Sequence, residues 1–464
     1  MDKETTEKTN QVHFKSTLLE GNITRNIITL SLPIMAANII ANAYNIIDMI
    51  FVGRLGPSAV AAVSLGGILM SFTWTVLLGL SIGTSSLIAR FYGAQNMKIV
   101  SRVTIQSIVI ALSISTLLAL FGIFGVRYVL ELLGAQEDVL NMGVTYTRIV
   151  FCGAISLIVL FVINSIFRGS GDVKTPMITL GTSSIINIIL DPLLIFGIGP
   201  FPQMGVKGAA IATVIGQFVG AFMNMLILYK GYSRIRISNW SLKPDFTLLK
   251  TLFFIGIPGA MQNFFYSISG FALMNFVAAY GTSAVAAFGI GLRIDIMVMM
   301  PGWALGASVA TILGQNLGAK QPDRAEKTAW RGSMLYFFLL LTVCTLLWLG
   351  AAQVIRVFNG DPDVVSMGAD YIQTVVFGYI FLPLSLILTM SMNGAGYTLA
   401  PMIIIAIAAL GIKIPAAIVL SDTLNFGIQG LWYAIAGSAV IQAVISASWF
   451  STGRWKLKKV EETG

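Results

Sequence analysis

The chain has 464 residues, of which 29 are Lys or Arg and 20 are Asp or Glu, giving a formal net charge of +9. Charged residues make up 11% and apolar residues 56%, against about 25% charge in an average soluble domain. So little charge excludes a water-soluble enzyme and a disordered chain, and it leaves an all-α polytopic membrane protein in a bilayer.

Apolar runs are predicted at 27–53, 59–89, 99–125, 140–167, 176–199, 205–229, 248–279, 284–313, 328–355, 370–392, 401–420 and 427–452. Each is long enough to cross a hydrocarbon core of about 30 Å as a helix. Twelve such spans, helices 1 to 12, use up nearly the whole chain. The expected organisation is a tail at 1–26, a six-helix lobe at 27–229, a linker at 230–247, a second six-helix lobe at 248–452 and a tail at 453–464. The N-terminal tail is polar and does not read as a cleavable signal peptide.

The single histidine, His13, lies in that tail, and Cys152 and Cys344 lie inside apolar runs. These positions offer no metal-ligand cluster, no histidine-based triad and no disulfide framework. Neither enzyme activity nor a cofactor is expected. The basic residues sit in short loops between apolar runs, so no nucleic-acid partner is expected either.

The basic residues set the orientation. With the N-terminus inside, 22 Lys and Arg fall in inner tails and loops, among them Lys15, Arg90, Arg168, Arg234, Lys320 and Lys456, while Arg54, Arg127, Lys207 and Arg356 fall outside. Positive residues concentrate on the cytoplasmic side, so both termini are expected in the cytoplasm of a cell or inner membrane. The longest inner loop, 230–250, is basic and carries Trp240. It reads equally as a connector lying on anionic headgroups and as a plain linker.

An internal repeat decides the architecture. Shifted by 225 positions, Pro33 meets Pro258, Ser58–Ala62 meets Ser283–Ala287, Gly66 meets Gly291 and Gly93-Ala94 meets Gly318-Ala319. Further on, Tyr146 meets Tyr371, Gly169 meets Gly394 and Gly171 meets Gly396; a shift of 222 pairs Gly205 with Gly427. Six spans separate equivalent positions, so the halves share one topology. Two parallel six-helix lobes around a central cavity are the plan of a transporter whose halves rock against each other.

Six charges lie in the interior of the spans, away from their first four residues: Asp48, Asp191, Asp295, Arg148, Arg293 and Lys413. An ionisable group at bilayer depth costs several kcal/mol, so each requires a reason. Asp48 in helix 1 and Asp191 in helix 5 lie in the same half at similar depth. Asn187 is one turn before Asp191, and Tyr44 one turn before Asp48. Two carboxylates and an amide in a dry bundle suit a proton or a sodium ion; a purely structural carboxylate would cap a helix break or pair with a base. Their repeat equivalents, Leu273 and Ala416, are apolar, which favours the functional reading.

Asp295 in helix 8 stands two residues from Arg293, a spacing that does not bring side chains face to face on a helix. Lys413 of helix 11 is in the same half, so Asp295 pairs with Lys413 or Arg293, or serves substrate. Arg148, near the outer end of helix 4, snorkels to the interface. Pro33, fifteen residues before Asp48, permits a bend that would move the helix carrying the acid. Met297, Met299 and Met300 beside Asp295 suit either an adaptable apolar binding surface or lipid-facing filler.

Five segments, LPIMAANIIANAYNIIDMIFVGRLG, GTSSLIARFYGA, NSIFRGSGDVKTPM, NIILDPLLIFG and GVKGAAIAT, together with the repeat resemble the MATE family (multidrug and toxic compound extrusion transporters), its DinF-like branch above all. The resemblance covers essentially the whole chain. It implies a cation site in the N-terminal lobe, with Asp48, Asn187 and Asp191 as its acids and amide, Thr213 beside them, and Asn164 and Tyr44 lining the lobe. Other branches place an essential acid in helix 7, which here contains none. The resemblance further implies a monomeric exporter of small amphipathic or cationic drugs driven by proton or sodium entry. A lipid-linked oligosaccharide flippase is the alternative from the same superfamily; it would require a basic cavity, for which only Arg293 and Lys413 are available.

Overall fold

The computed structural model describes residues 17–235, 237 and 243–458. His13, Lys15, Arg236 and Trp240 lie outside the described residues, so the reading of 230–250 as a surface-lying connector falls largely outside them. The described chain is helical. We label its spans α1 (Ile23–Gly53), α2 (Pro57–Gly93), α3 (Met97–Phe124), α4 (Glu137–Cys152 with Ala154–Gly169), α5 (Lys174–Phe196), α6 (Val206–Lys230), α7 (Phe246–Ala278), α8 (Thr282–Gly318), α9 (Pro322–Leu349), α10 (Pro362–Tyr379 with Pro383–Gly394), α11 (Leu399–Thr423) and α12 (Ile428–Ser451). Among the described residues nine helices are long and apolar enough to cross a membrane, and two bent pairs bring the number to eleven. The helix α7 has 33 residues; at about 1.5 Å per residue it exceeds the hydrocarbon thickness. Gln262, Asn263 and Asn275 lower its hydropathy, and counting it is consistent with twelve spans.

Helix starts are written locally. Asn22 caps α1 by accepting from the backbone N–H of Thr24 and Arg25, and Asn96 caps α3. Asp245 caps α7 and also pairs with Arg102 of α3. Such caps satisfy donors that the first helical turn leaves open. The repeat extends to backbone conformation. Gly56 (φ 107°) and Gly281 (φ 99°) open α2 and α8 in the region that favours glycine.

Three predicted spans are not single straight helices. The run 140–167 is bent by 45° between Cys152 and Ala154. The hinge is Gly153, whose bare Cα lets Val214 of α6 approach; a Cβ there would lie 2.3 Å from Val214 Cγ2. The run 370–392 is bent by 50°, where Pro383 removes a backbone donor and a π-helical turn follows. The run 328–355 stops at Gly350 and turns into a separate short helix, Ala351–Phe358. Its counterpart in the first half is Val126–Leu132, and neither short helix was expected.

Within the first half α5 packs on α1 and α6, and α4 on α2, α3 and α6; in the second, α8 packs on α9 and α10, and α10 on α12. The halves meet where α2 packs on α7 and α8. Helix α1 joins both halves. Its outer part lies on α5, while Ile23, Ile27 and Leu30 belong to the apolar core of the second half. Pro33 falls just after this crossover. Arg90 and Arg168, expected in loops, are instead inside α2 and α4. Arg90 Nη1 donates to the Ala395 carbonyl at 3.1 Å, and Arg168 Nη2 donates to Ser81 and Ser165 Oγ at 3.1 and 2.9 Å. Their charges extend the apolar runs by a helical turn and contribute to packing between and within the lobes.

Candidate cation site

The first half brings Asp48 of α1 and Asp191 of α5 side by side, close enough for their carboxyl groups to share a hydrogen bond. Asp191 is fully buried, and Asp48 Oδ1 is buried without a hydrogen-bond partner among the described residues. With its amide assigned in the orientation that satisfies both neighbours, Asn187 Nδ2 donates to Asp191 Oδ2 at 3.1 Å, and its Oδ1 accepts from Thr213 N at 3.2 Å and from Thr213 Oγ1 at 3.3 Å. Thr213 on α6 thus fixes Asn187, and Asn187 fixes Asp191. Gly216, one turn further along α6, provides the space: a Cβ there would meet Ser183 O at 2.7 Å and Asn187 Cβ at 3.2 Å.

A cavity of about 70 Å³ opens beside this group, lined by Tyr44, Ser183, Asn187, Thr213 and Gln217, with Trp74 and Phe161 stacked edge to face at 5.0 Å in its wall. Drug-sized pockets run from about 300 to 1,000 Å³, so this one fits a small ion with its waters and not an organic substrate. Tyr44 and Tyr146 both lie within electrostatic range of the two acids. Asn164 sits apart. Its Oδ1 accepts from Asn224 Nδ2 at 2.9 Å and from Thr179 Oγ1 at 3.4 Å, in a buried network joining α4, α5 and α6.

The second half holds a different cluster. Asp295 accepts from Tyr371 OH at 3.0 and 2.8 Å and from Tyr379 OH. Lys413, in a π-helical stretch of α11, is close enough to interact with it electrostatically. Arg293 does not join them: it is exposed and lines a shallow pocket with Ala286, Gly289 and Asn359. Two residues along α8 turn it about 200° from Asp295, which settles the pairing in favour of the tyrosines and Lys413. Met297 is 64% exposed and Met300 half-buried, while Met299 packs on the core of the second half. Arg148 is exposed on α4, as snorkelling requires.

Tyr146, Tyr371 and Tyr379 were missed as site residues, although the repeat pairs the first two. Tyr146 and Tyr371 are equivalent, and each packs on an equivalent glycine. A Cβ at Gly66 would lie 3.1 Å from Tyr146 and one at Gly291 would lie 2.4 Å from Tyr371. Each half therefore holds the equivalent tyrosine near its own acid, hydrogen-bonded in the second half and within electrostatic range in the first.

A helical chain of two repeated lobes, with an acid pair held inside one of them, is the plan of a membrane transporter. The MatE family model matches residues 33–193 and again 258–419, two copies offset by the repeat distance, and the chain belongs to this family of MATE transporters. It is 29% identical over 436 residues to the "Probable multidrug resistance protein YoeA" of Bacillus subtilis, covering 92% of this chain and 93% of that one. It is 25% identical over 438 residues to the "Probable multidrug resistance protein NorM" of Thermotoga maritima, covering 94% of each. It is also similar to a solved structure titled "Crystal structure of MATE in the bent conformation", with a TM-score of 0.89, 25% identity and coverage of 95% and 97%.

Proposed function

We propose that the chain is a secondary active antiporter that expels amphipathic, often cationic, organic compounds while a proton or sodium ion enters through the first lobe. The observation that carries this reading is the adjacent pair Asp48 and Asp191, held inside the first lobe beside a cavity of ion size. Two neighbouring carboxylates in a low-dielectric bundle repel each other strongly, and one proton or one sodium ion between them relieves that repulsion. To ligate sodium, Asn187 would turn its amide so that the oxygen, which here accepts from Thr213, faces the acids, and Thr213 Oγ1 would add a further oxygen. The multidrug names of the relatives support the substrate class.

In this reading the lobes span 27–229 and 248–452, and the basic loops place both termini in the cytoplasm of the cell membrane. The contacts between α2, α7 and α8 then lie on the cytoplasmic side, so the described state is closed inward. Cation binding at Asp48 and Asp191 favours the state that releases drug, and drug binding from inside favours the other. Pro33 supplies the bend by which α1, held by both lobes, follows the change. For a neutral substrate each entering charge releases about 2.3 kcal/mol per 100 mV; for a monovalent cationic substrate the one-for-one exchange is electroneutral and the ion's concentration gradient drives it, at about 1.4 kcal/mol per decade. The flippase reading is not favoured: Arg293 faces away from Asp295, which leaves Lys413 without a second base to bind phosphate.

Drug efflux from cells expressing Asp48→Asn and Asp191→Asn tests the site. Efflux is expected to fall to the level of cells without the protein; full efflux in both variants refutes it. Transport in proteoliposomes under an imposed proton or sodium gradient identifies the ion.

A further inference from the structure

The C-terminal ends of α2 and α8 cross at equivalent positions. Gly93 and Gly318 are 225 residues apart, and each docks on the other's helix. A Cβ at Gly93 would lie 2.0 Å from the Gln315 carbonyl oxygen, and one at Gly318 would lie 1.9 Å from the Arg90 carbonyl oxygen. Position 315 is itself the equivalent of position 90. Arg90 Nη1 donates to the Ala395 carbonyl at 3.1 Å, at the end of α10, and Gln315 Nε2 donates to the Gly169 carbonyl at 2.9 Å, at the end of α4. These acceptors are equivalent to within one residue. Each lobe thus contributes one side chain that caps the last turn of a helix in the other, where carbonyls lack helical partners and the helix dipole is negative.

We infer that Arg90 and Gln315 form a two-fold latch that holds the lobes together at this end and sets the balance between the two states of the transport cycle. The latch rests on the alternating-access reading above. A pair of hydrogen bonds related by the pseudo-two-fold axis must break together when the two lobes tilt apart symmetrically at this end, so it acts on the equilibrium and not on either lobe's fold. It is also releasable. Among the described residues Arg90 takes part in no ion pair, so no oppositely charged partner is left behind when the lobes part, and only the net worth of the hydrogen bond is given up.

The test measures the distance between spin labels at Lys98→Cys on α3 and Asp323→Cys on α9, both exposed at this end, in a Cys152→Ser, Cys344→Ala background. The protein is reconstituted in nanodiscs without drug or gradient. The wild type is expected to show a dominant short distance and a minor long one. Arg90→Ala and Gln315→Ala are each expected to raise the ratio of long to short about fivefold, the size of one net hydrogen bond, and Arg90→Lys to restore part of it. Unchanged distributions in both alanine variants overturn the latch, as does a single short distance in every sample. An equal shift in Ser308→Ala, whose hydroxyl bonds only within its own helix, also overturns it. Efflux insensitive to Asp48→Asn and Asp191→Asn, with these distance shifts present, defeats the antiport reading and leaves the latch standing.

Discussion

Replacing Asp191 by asparagine removes a charge while keeping the shape of the side chain. The site is fully buried, its partners are Asn187 at 3.1 Å and the neighbouring Asp48, and an amide makes comparable contacts with both. The fold is therefore expected to persist, with a melting temperature close to that of the wild type. The energetic consequence falls on coupling. One-for-one exchange of two monovalent cations moves no net charge, so the ion's concentration gradient drives it; an ion gradient of about 50-fold, worth about 2.3 kcal/mol at about 1.4 kcal/mol per decade, sustains a substrate gradient of roughly 50-fold. With Asp191 neutral the pair no longer carries a second charge for the ion to offset. Accumulation of ethidium in proteoliposomes under an imposed gradient is expected to fall from that level to equilibration, with equilibrium binding of ethidium retained. An Asp191→Asn protein that accumulates ethidium as the wild type does would show that the acid pair is not the coupling site.

The remaining predictions concern the support of the two acid clusters. Thr213→Val removes the hydroxyl that faces Asn187 at 3.3 Å; the loss of about 1 kcal/mol is expected to raise the driving-ion concentration for half-maximal transport about fivefold. Gly216→Ala places a Cβ 2.7 Å from Ser183 O, and overpacking of about 1–3 kcal/mol is expected to lower both melting temperature and transport; unchanged values for both would mean that α5 and α6 separate freely. Asp295→Leu leaves two tyrosine hydroxyls without their acceptor and Lys413 without its neighbouring carboxylate. A loss of about 3 kcal/mol or more is expected, read as early thermal unfolding in detergent, and a wild-type melting curve would contradict the cluster's structural weight.

Much of this was legible in the residues because a bilayer simplifies the code. A span must be apolar, so its charges stand out, and the repeat can be read from identities at a fixed offset. Asp48 and Asp191 stand out in this way, and the i, i+4 spacing of Asn187 and Asp191 puts those two on one helix face. Arg90 and Arg168 were misread because charge was used to end helices. In this fold a helix continues past its first arginine wherever a neighbouring carbonyl or hydroxyl accepts the guanidinium.

The sequence by itself determined the spans, the two-lobe repeat and the acids that the repeat does not duplicate, since each follows from composition or from comparison of the chain with itself. Tertiary structure alone decided which groups meet. It set Asp48 against Asp191 across two helices, anchored Asn187 on Thr213, gave Asn164 to Asn224, and turned Arg293 away from the acid two residues along. Those choices depend on helix rotation and on bends at Gly153 and near Pro383. Both are set by packing between segments distant in the chain, and no local spacing encodes them.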